Sequence, residues 1–426
     1  MKGIEEKQIE APYELPEGWK WCRLGEVAEI ARGGSPRPIE KYLTTAEDGI
    51  NWIKIGDTEK NGKYIFTTKE KIIKEGLSKT RYVEEGDFLL TNSMSFGRPY
   101  ILKTSGCIHD GWLVIKQCTA YNQDFLYYLL SSSAVFSQFV SLAKGSTVKN
   151  LKSETVRQVI LPLPPTLAEQ QRIVNRIESM FAKLDEAKEK AQNVVDGFET
   201  RKAAILHKAF TGELTAKWRK ENGVSDDSWE EKTIGECGSV YGGGTPSTSH
   251  KDYWENGNIL WITSKDMKND IIEDSEMHVN MKGIENSSAK FIEKPALLFV
   301  MRSGILRRTF PICMVKKEFT VNQDLKALVP YGFVLLEYLF YGCKSNEREI
   351  LNTCMKNGTT VESINAKALF DFAIFVPSLP EQQEIVRILE IIIEKENKAK
   401  QAAEAVLEQI DLLKKSILAR AFRGEL

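Results

Sequence analysis

Two long stretches of the chain repeat apolar residues at alternating steps of four and three. In the first stretch the apolar positions are 173, 177, 180, 184, 187, 191, 194, 198 and 205, and polar Arg201 fills the missing step. In the second they are 385, 389, 392, 399, 403, 406, 410, 413 and 417, with Glu396 at its polar step. A stripe with this spacing over about four heptads predicts a coiled-coil helix rather than a surface helix packed on its own domain.

A capping box marks the start of each helix. Thr166 precedes Glu169 by three residues, and Ser378 precedes Glu381 in the same way. In such a box the hydroxyl binds the third amide of the helix and the carboxylate reaches back to the capping residue. Prolines at 164, 165 and 377 stop a helix from running in from upstream, and the glycines at 212 and 424 suit a C-terminal cap. A helix of about 40 residues would be about 60 Å long.

The chain contains two copies of one unit. The blocks that begin at Glu169 and Glu381 align over 46 residues without a gap, and 19 positions are identical. Looser matches upstream pair the tryptophans at 19 and 229 and at 52 and 261, the Gly-Gly turns at 33 and 243, and the Gly-(Ser/Thr)-Thr-Val segments at 145 and 358. A repeat of about 210 residues predicts two related functional halves.

The sequence before each helix mixes short β-branched and aromatic runs with Gly, Pro, Asn and Ser, which is typical of strands in an α+β domain. The runs that predict strands are Ile50–Ile55, Asp87–Leu90, Gly111–Ile115, Ile259–Ile262 and Ala296–Met301. Short helices are expected at Phe125–Leu130 and Val334–Phe340.

The predicted fold class is therefore α+β, with two homologous domains of mixed, barrel-like sheets and short helices, separated by the two long helices. The expected limits are 1–164 for the first domain, 165–214 for the first long helix, 215–376 for the second domain and 377–426 for the second helix. Because the order is domain, helix, domain, helix, an antiparallel helix pair with pseudo-two-fold symmetry is expected.

Composition narrows the class of protein. Apolar residues make up 42% and charged residues 27% of the chain, as in soluble globular proteins. The seven cysteines form no Cys-x-x-Cys motif, and the sequence has neither a signal peptide nor an apolar run long enough for a membrane span, so a cytoplasmic protein is expected. The net charge of −1 offers no overall attraction for nucleic acid, so any such binding must use local basic loops.

In this order and in two copies, the Gly-Gly-(Ser/Thr)-Pro turn, the Trp52 and Trp261 strands, the Gly-(Ser/Thr)-Thr-Val segment and the Pro…Glu-Gln-Gln helix start resemble the specificity subunits of type I restriction–modification systems. The resemblance covers the chain from Trp19 to Leu426. It implies two target-recognition domains that each read one half of a split double-stranded DNA sequence. It also implies two DNA methyltransferase subunits and restriction endonuclease subunits as partners.

Motifs for catalysis are missing from the sequence. It has no Asp/Asn-Pro-Pro-Tyr/Phe motif of amino-methyltransferases and no GxxxxGK[ST] phosphate loop, and its four histidines show no ligand spacing. We therefore expect a non-catalytic subunit with no cofactor and no metal.

Residues repeated in both copies are expected to serve the fold. The Gly-Gly turns could hold a phosphate, but a tight turn that needs positive φ is the favoured interpretation. Trp52 and Trp261 are expected in the core, and Asp110 and Asp324 are expected to be structural.

Residues that read different half-sites should instead differ between the copies. The loops after the strands at 88–90 and 296–301 diverge but keep an arginine, Arg98 and Arg307, which we take as a matched pair for guanine or backbone contact. Solvated loop charge is an equally good interpretation of any one of these residues. The full candidate set for DNA binding is Arg98, Arg307, Arg308, Arg302, Asn92, Lys54, Lys265, Lys144, Lys149, Lys152, Lys356, Thr147 and Thr360. The lysines and Arg302 and Arg308 are expected on phosphates.

Two other classes remain to be weighed: a coiled-coil scaffold with two protein-binding domains, and an enzyme with a duplicated site. The enzyme lacks any repeated acid, histidine or cysteine constellation. A salt titration separates the first two classes, because DNA binding weakens linearly on a log–log plot as phosphate contacts release counterions.

Overall fold

The computed structural model describes residues 12–59, 62–92, 96–116, 118–142, 150–225, 227–356 and 361–426. The chain forms two compact units. The first unit comprises the chain up to Gln192 together with Glu404–Leu426, and the second comprises Asn193–Ala403.

In its described residues, the first unit is built on two five-stranded sheets and one two-stranded ribbon. Its strands are β1 (Lys20–Arg23), β2 (Ile30–Arg32), β3 (Leu43–Thr44), β4 (Ile50–Ile53), β5 (Tyr64–Ile65), β6 (Glu70–Ile72), β7 (Arg81–Val83), β8 (Phe88–Thr91), β9 (Pro99–Leu102), β10 (Gly106–Ile108), β11 (Trp112–Ile115) and β12 (Ile160–Leu163). The sheet orders are β2-β11-β8-β9-β5, β3-β6-β4-β10-β7 and β1-β12.

The central strands β8 and β11 are buried along their whole length because both faces of their sheet are covered. Leu90 and Leu113 belong to the core cluster that includes the helices, whereas Leu89 and Val114 belong to the cluster shared with the second sheet. Neighbouring residues of a strand point to opposite faces, so these continuous apolar runs are strands between two layers. The helices of this unit are α1 (Leu24–Val27), α2 (Gln123–Leu130), α3 (Ser133–Leu142), α4 (Ser153–Arg157) and α5 (Leu167–Asp196).

The second unit repeats this architecture with fewer edge strands. Its helices are α6 (Phe198–Phe210), α7 (Ala216–Asn222), α8 (Met281–Glu285), α9 (Leu336–Ser345), α10 (Glu347–Cys354) and α11 (Ala366–Phe370). Its strands are β13 (Glu230–Thr233), β14 (Gly238–Gly242), β15 (Ile259–Ile262), β16 (Ile271–Ile272), β17 (Met277–Val279), β18 (Ala296–Val300), β19 (Ile312–Val315), β20 (Phe319–Val321), β21 (Leu325–Pro330) and β22 (Ala373–Val376). The main sheet has the order β14-β21-β18-β19-β16, which matches β2-β11-β8-β9-β5 strand for strand.

The predicted α+β class, the strands and the two short helices are confirmed, with ends that differ by a few residues. Helix α12 (Leu379–Ala421) is the second long helix, and it belongs to the second unit up to Ala403 and to the first unit from Glu404. Within the part of the chain that the structure describes, no single helix is both long and apolar enough to cross a membrane. Only α2 and α3 together, bent by 59°, meet that criterion of length and composition.

The first long helix is interrupted at Gly197, where one unbroken helix was expected. Gly197 has φ −78° and ψ −7°, and α6 follows it directly. The Arg201 guanidinium donates from Nη2 to the carbonyl oxygen of Val194 at 2.9 Å. This is the oxygen that the amide of Phe198 would bind in a regular helix. Competition from the side chain is the physical reason for the break.

The helix pairs are antiparallel within each unit. In the first unit Arg172 Nη2 donates to the carbonyl oxygen of Leu426 at 2.8 Å, and Lys414 pairs with Asp185 at 2.5 Å. In the second unit Arg201 Nε donates to Glu396 Oε2 at 2.8 Å. The two polar steps of the apolar stripes are thus partners of each other, and they satisfy one another in a mostly apolar seam.

The stripe of α12 is shifted by one residue from the prediction at three steps. Ala399, Val406 and Leu413 are exposed, and Lys400, Leu407 and Lys414 take their places among the half-buried positions. Each of the two lysines places its ammonium over a phenylalanine of the partner helix: Lys400 lies 4.7 Å from the Phe198 ring and Lys414 lies 5.1 Å from the Phe181 ring. A long lysine stem covers apolar surface while its charge stays near water, so a count of apolar residues alone misses it.

The capping boxes are only partly formed. The Thr166 hydroxyl accepts from the amide of Glu169 at 3.1 Å, as expected, but both oxygens of the Glu169 carboxylate bind Arg172. The Glu381 carboxylate is directed instead to Arg219 and Thr215, at 2.8 and 2.7 Å. Each carboxylate binds an arginine in place of the capping residue's backbone amide, because charge-assisted hydrogen bonds are stronger than bonds to a neutral amide. The glycines at 212 and 424 do have the positive φ expected of C-terminal caps, +81° and +74°.

Candidate nucleic-acid interface

The Gly-Gly turns lie where another backbone segment crosses close by. A Cβ on Gly33 would lie 2.2 Å from the carbonyl oxygen of His109, and one on Gly243 would lie 2.0 Å from that of Asn322. None of the four glycines of these turns has a positive φ, so the expectation of a left-handed turn is wrong. Glycine is required there because the backbones approach closely, which supports a structural role for the turns.

Trp52 and Trp261 correspond in the two units, whereas Asp110 and Asp324 do not. The carbonyl oxygens of His109 and Asn322 face equivalent glycines, so Asp110 corresponds to Gln323. Trp52 is 2% exposed in the core, as predicted, and Trp261 is half-buried with its Nε1 donating to the carbonyl oxygen of Gly244 at 3.1 Å. Asp110 accepts from the Ser35 hydroxyl at 3.0 Å. Burial raises the pKa of Asp110, but the hydrogen bond from Ser35 and the nearby positive charges outweigh it and lower the pKa overall.

Backbone contacts show which loop residues correspond in the two units. The carbonyl oxygen of Asn92 accepts from the amide of Leu151 at 3.0 Å, and that of Met301 accepts from the amide of Ile364 at 2.8 Å. Asn92 and Met301 therefore occupy equivalent places at the ends of β8 and β18.

The same register shows that Arg98 and Arg307 are not a matched pair. Leu90 pairs with Pro99, whereas the equivalent Phe299 pairs with Ile312. The residue in the place of Arg98 is therefore Pro311, and the second loop is longer by four residues. Arg307 lies inside that insertion, in a short 3₁₀ helix at Gly304–Arg307. Arginines in loops of different length cannot be equated from sequence spacing.

Asn92 is not available to DNA in this structure. It is 1% exposed, and its Nδ2 donates to the carbonyl oxygen of Asp110 at 2.7 Å. A buried amide with a backbone partner holds the loop in place. Asn92, a candidate for DNA binding, is therefore corrected to a structural residue.

The remaining candidates of the first unit are partly accessible. Arg98 is half-buried, with its guanidinium 5.5 Å from the centre of the Tyr100 ring. Lys54 forms an ion pair with Glu70, and Lys152 is exposed at the start of α4. Lys144, Thr147, Lys149 and Thr360 lie outside the described residues.

The candidates of the second unit gather around the loop after β18. Arg302 forms a β-bridge with Ser363, and the amide of Lys356 donates to the carbonyl oxygen of Ser363 at 2.8 Å. Arg307 and Arg308 lie further along the same loop, and all four cations are exposed. The structure therefore brings together four residues from two separate regions of the sequence. Lys265 is exposed as well, in the turn that follows β15.

Two carboxylates of this region were not among the candidates. Asp324 Oδ1 lies 3.0 Å from Arg302 Nε, and Glu362 Oε1 pairs with Arg307 Nε. The hydrogen bond from Arg307 lowers the pKa of Glu362 below its usual range. Asp324 was predicted to be structural, and Glu362 carried no signal because its partner lies 55 residues away in sequence.

His109 and Asn322 occupy equivalent positions, since the preceding residues both accept from a turn glycine: Ile108 from Gly34 at 3.2 Å and Val321 from Gly244 at 2.9 Å. The amide nitrogen of Gly111 lies 2.7 Å from His109 Nδ1, and that of Ile55 lies 3.2 Å from Nε2. Burial lowers the pKa of His109. A neutral imidazole accepts a hydrogen bond through only one ring nitrogen and a protonated ring through neither, so protonation of His109 removes the acceptor for one of these amides.

Comparisons with known proteins match this arrangement. A family model described as the type I restriction modification DNA specificity domain matches residues 16–195 and again residues 226–409. The specificity subunit of the type I restriction enzyme EcoR124I/EcoR124II from Escherichia coli is 38% identical over 196 residues, 44% of this chain and 48% of that protein. The chain thus spans about half the length of that relative in the match. The EcoKI specificity subunit from Escherichia coli (strain K12) is 24% identical over 438 residues, 97% of this chain and 90% of that protein.

Solved structures show the same fold. The crystal structure of the HsdS subunit from Thermoanaerobacter tengcongensis has a TM-score of 0.70 at 21% identity and covers 98% of this chain and 100% of that one. A chain from a structural study of complex assembly in the type I restriction–modification system has a TM-score of 0.71 at 21% identity, covering 97% and 100%.

Proposed function

The chain belongs to the type I restriction modification DNA specificity family, and on that premise we propose that it is the DNA-recognition subunit of a type I restriction–modification complex. The observation that carries the proposal is the double match of the family model, once before residue 195 and once after residue 226. We assign a target-recognition domain to residues 1–164 and a second to residues 215–376, each for one half of a split double-stranded site.

The charges of the second unit support this function. Arg302 and Arg307 are paired with carboxylates, so Arg308 and Lys356 supply the local positive charge of this loop region on a chain whose net charge is only −1. Such a cluster can hold phosphates and base edges without an overall basic field. Exposed Lys152, Lys265, Arg308 and Lys356 suit phosphate contacts, which position the protein without specifying a sequence.

Catalysis is assigned to partners rather than to this chain. The printed sequence contains no amino-methyltransferase motif and no phosphate-binding loop. We propose that two DNA methyltransferase subunits and the restriction endonuclease subunits dock on this chain, and that it needs no cofactor of its own. The two unlike loops after β8 and β18 favour two different half-sites.

The experiment is reconstitution with the methyltransferase subunit of the same system, followed by sequencing of the methylated positions. The expected target is two short, different blocks separated by a spacer of fixed length. Affinity for that duplex is measured over a salt series, and log affinity should fall linearly with log salt. A contiguous or palindromic target would contradict two unlike recognition domains. Absence of DNA binding at every salt concentration would favour the protein-scaffold alternative.

A further inference from the structure

Arg302 and Arg307 lie on one loop of the second unit and are held in the same manner. Each uses its Nε to bind a carboxylate: Arg302 binds Asp324 Oδ1 at 3.0 Å, and Arg307 binds Glu362 Oε1. The two carboxylates come from different segments, the turn before β21 and the segment before α11. Two separate parts of the fold thus converge on the guanidinium groups of one loop.

Backbone contacts fix the carboxylates to the same loop. The carbonyl oxygen of Asp324 accepts from the amides of Met301 and Arg302, at 2.8 and 3.3 Å. The carbonyl oxygen of Glu362 accepts from the amide of Ser303 at 3.1 Å. Each carboxylate residue therefore binds the loop through both its main chain and its side chain. These contacts restrict the orientation of the arginine side chain that it binds.

Exposure shows which partner faces solvent. The side chains of Arg302 and Arg307 are 61% and 69% exposed, whereas those of Asp324 and Glu362 are 25% and 20% exposed. The carboxylates lie underneath and the guanidinium groups lie outside. With Nε occupied, the edge formed by the two Nη nitrogens remains to donate two parallel hydrogen bonds.

The charge of the pair decides between two classes of acceptor. A phosphate is attracted by an uncompensated cation, and a neighbouring carboxylate opposes that attraction. A guanine edge is neutral and presents O6 and N7 as two acceptors in the major groove, which match the two-nitrogen edge of an arginine. An arginine whose charge is compensated by a carboxylate beneath it, and whose orientation is fixed, suits a guanine edge better than a phosphate.

We propose that Asp324 and Glu362 are positioning residues that hold Arg302 and Arg307 for guanine recognition, so that the half-site read by the second domain contains guanine. This inference rests on the proposed DNA-recognition function. It reassigns Arg302 from phosphate contact to base contact and gives both carboxylates a role in specificity.

The test uses the chain assembled with its methyltransferase subunit and duplexes in which each guanine of the second half-site is replaced singly by 7-deazaguanine, which lacks the N7 acceptor. Affinity should fall about tenfold or more at one or two positions. In the Arg302→Met or Arg307→Met variant the side chain keeps a similar length but loses every donor to the base. The corresponding replacement should then have no further effect, and discrimination at that base pair should fall about tenfold to 100-fold.

Variants of the two carboxylates test whether these residues affect base discrimination, which a merely structural role would leave unchanged. Asp324→Asn and Glu362→Gln remove a negative charge beside the arginine. Discrimination at one base pair should fall, while binding to unrelated DNA should rise and become more salt-dependent. Arg387→Met is the control for the two arginine variants, because Arg387 on α12 is 60% exposed and binds Glu384 through Nε and Nη2, at 2.8 and 2.7 Å. Thermal melting of every variant confirms folding.

Two outcomes overturn the inference while leaving the proposed function intact. One is a second half-site that tolerates 7-deazaguanine everywhere or contains no guanine. The other is unchanged base discrimination in folded Arg302→Met and Arg307→Met complexes that still bind the target. Loss of all DNA binding by the unaltered complex would instead overturn the proposed function itself.

Discussion

The two long helices share the residues Glu-Gln-Gln near their starts, at 169–171 and 381–383, but only part of this motif has the same surroundings in both units. Gln170 and Gln382 are both buried, and their side chains make the same bonds. The Gln170 Oε1 accepts from the amide of Asn122 at 2.6 Å, and the Gln382 Oε1 accepts from that of Leu335 at 2.9 Å. Each glutamine thus anchors the start of a long helix to the residue that precedes a core helix.

The preceding glutamates differ. The side chain of Glu169 is 30% exposed and pairs with Arg172 of the next turn. Glu381 is fully buried and pairs with Arg219, which is brought in by α7. Identical residues therefore serve as a surface pair in one unit and a buried pair in the other. The role of the glutamate therefore depends on whether a further helix, α7 in the second unit, covers it, and not on the motif alone.

The largest expected effect comes from removing this glutamate in the second unit. Glu381→Gln removes the buried carboxylate that pairs with the Arg219 guanidinium, and we expect a loss of about 3 kcal/mol in unfolding free energy. Glu169→Gln removes an exposed pair within one helix, and we expect about 0.5 kcal/mol. Urea denaturation followed by circular dichroism and tryptophan fluorescence measures both.

A double variant distinguishes a lost charge partner from general damage. Glu381→Met with Arg219→Met replaces the ion pair by apolar side chains of similar length, and this should recover much of the lost stability. Equal losses for Glu169→Gln and Glu381→Gln would show that burial of the second pair has no energetic consequence.

The periodicity of the long helices was predictable because burial follows a local rule. Apolar steps of three and four located α5 and α12, and the polar steps Arg201 and Glu396 were recognised as departures from the stripe. That these two residues bind each other depends on helix pairing, which the spacing did not specify. The positions of Lys400 and Lys414 in the stripe were missed because only the aliphatic part of a lysine side chain packs against apolar surface.

The candidate site was less predictable because it depends on contacts between distant segments. Arg302 and Arg307 were chosen from their residue type, but Glu362 reaches Arg307 only through the fold. Asn92 has the right chemistry for adenine and is nevertheless buried. The register that separates Arg98 from Arg307 is set by strand pairing. Sequence therefore indicates which residue types are present, and packing decides which of them face solvent.

The interruption at Gly197 gives a second, smaller test of how the two helices differ. A Cβ on Gly197 would lie 2.5 Å from Arg201 Nη1. Gly197→Ala should gain about 1 kcal/mol from helix propensity. Displacement of the Arg201 side chain should reduce the unfolding free energy by about the same amount, because its hydrogen bonds to Val194 and Glu396 are broken. In an Arg201→Leu background the gain should appear in full.

A double-mutant cycle measures this coupling, which should be about 1 kcal/mol. Gln409 is the residue of α12 that aligns with Gly197, and it lies exposed within an unbroken helix. Gln409→Ala is the matched control and should show a change of a few tenths of a kcal/mol. Additive effects of Gly197→Ala and Arg201→Leu would show that Arg201 does not cause the break.

The smallest effect is a pH dependence that only the first unit should show, because His109 stands where the second unit has Asn322. Its pKa is lowered from the usual 6.5, chiefly by burial. The unfolded chain therefore binds more protons in the interval below 6.5, and stability must fall as pH falls through it. The stability contributed by neutral His109 is complete above 6.5 and is lost progressively on acidification.

His109→Asn installs the residue of the second unit and should remove this component while leaving the slope from carboxylates. Unfolding is measured at about pH 7.5 and about pH 5.5. His250→Asn, at a histidine of the second unit whose side chain is 58% exposed, is the control. The Asn322→His variant makes the reverse substitution in the second unit. It should give that unit the same fall in stability on acidification. Equal pH slopes for the unaltered protein and His109→Asn would show that burial and the backbone contacts do not hold the ring neutral in the folded unit.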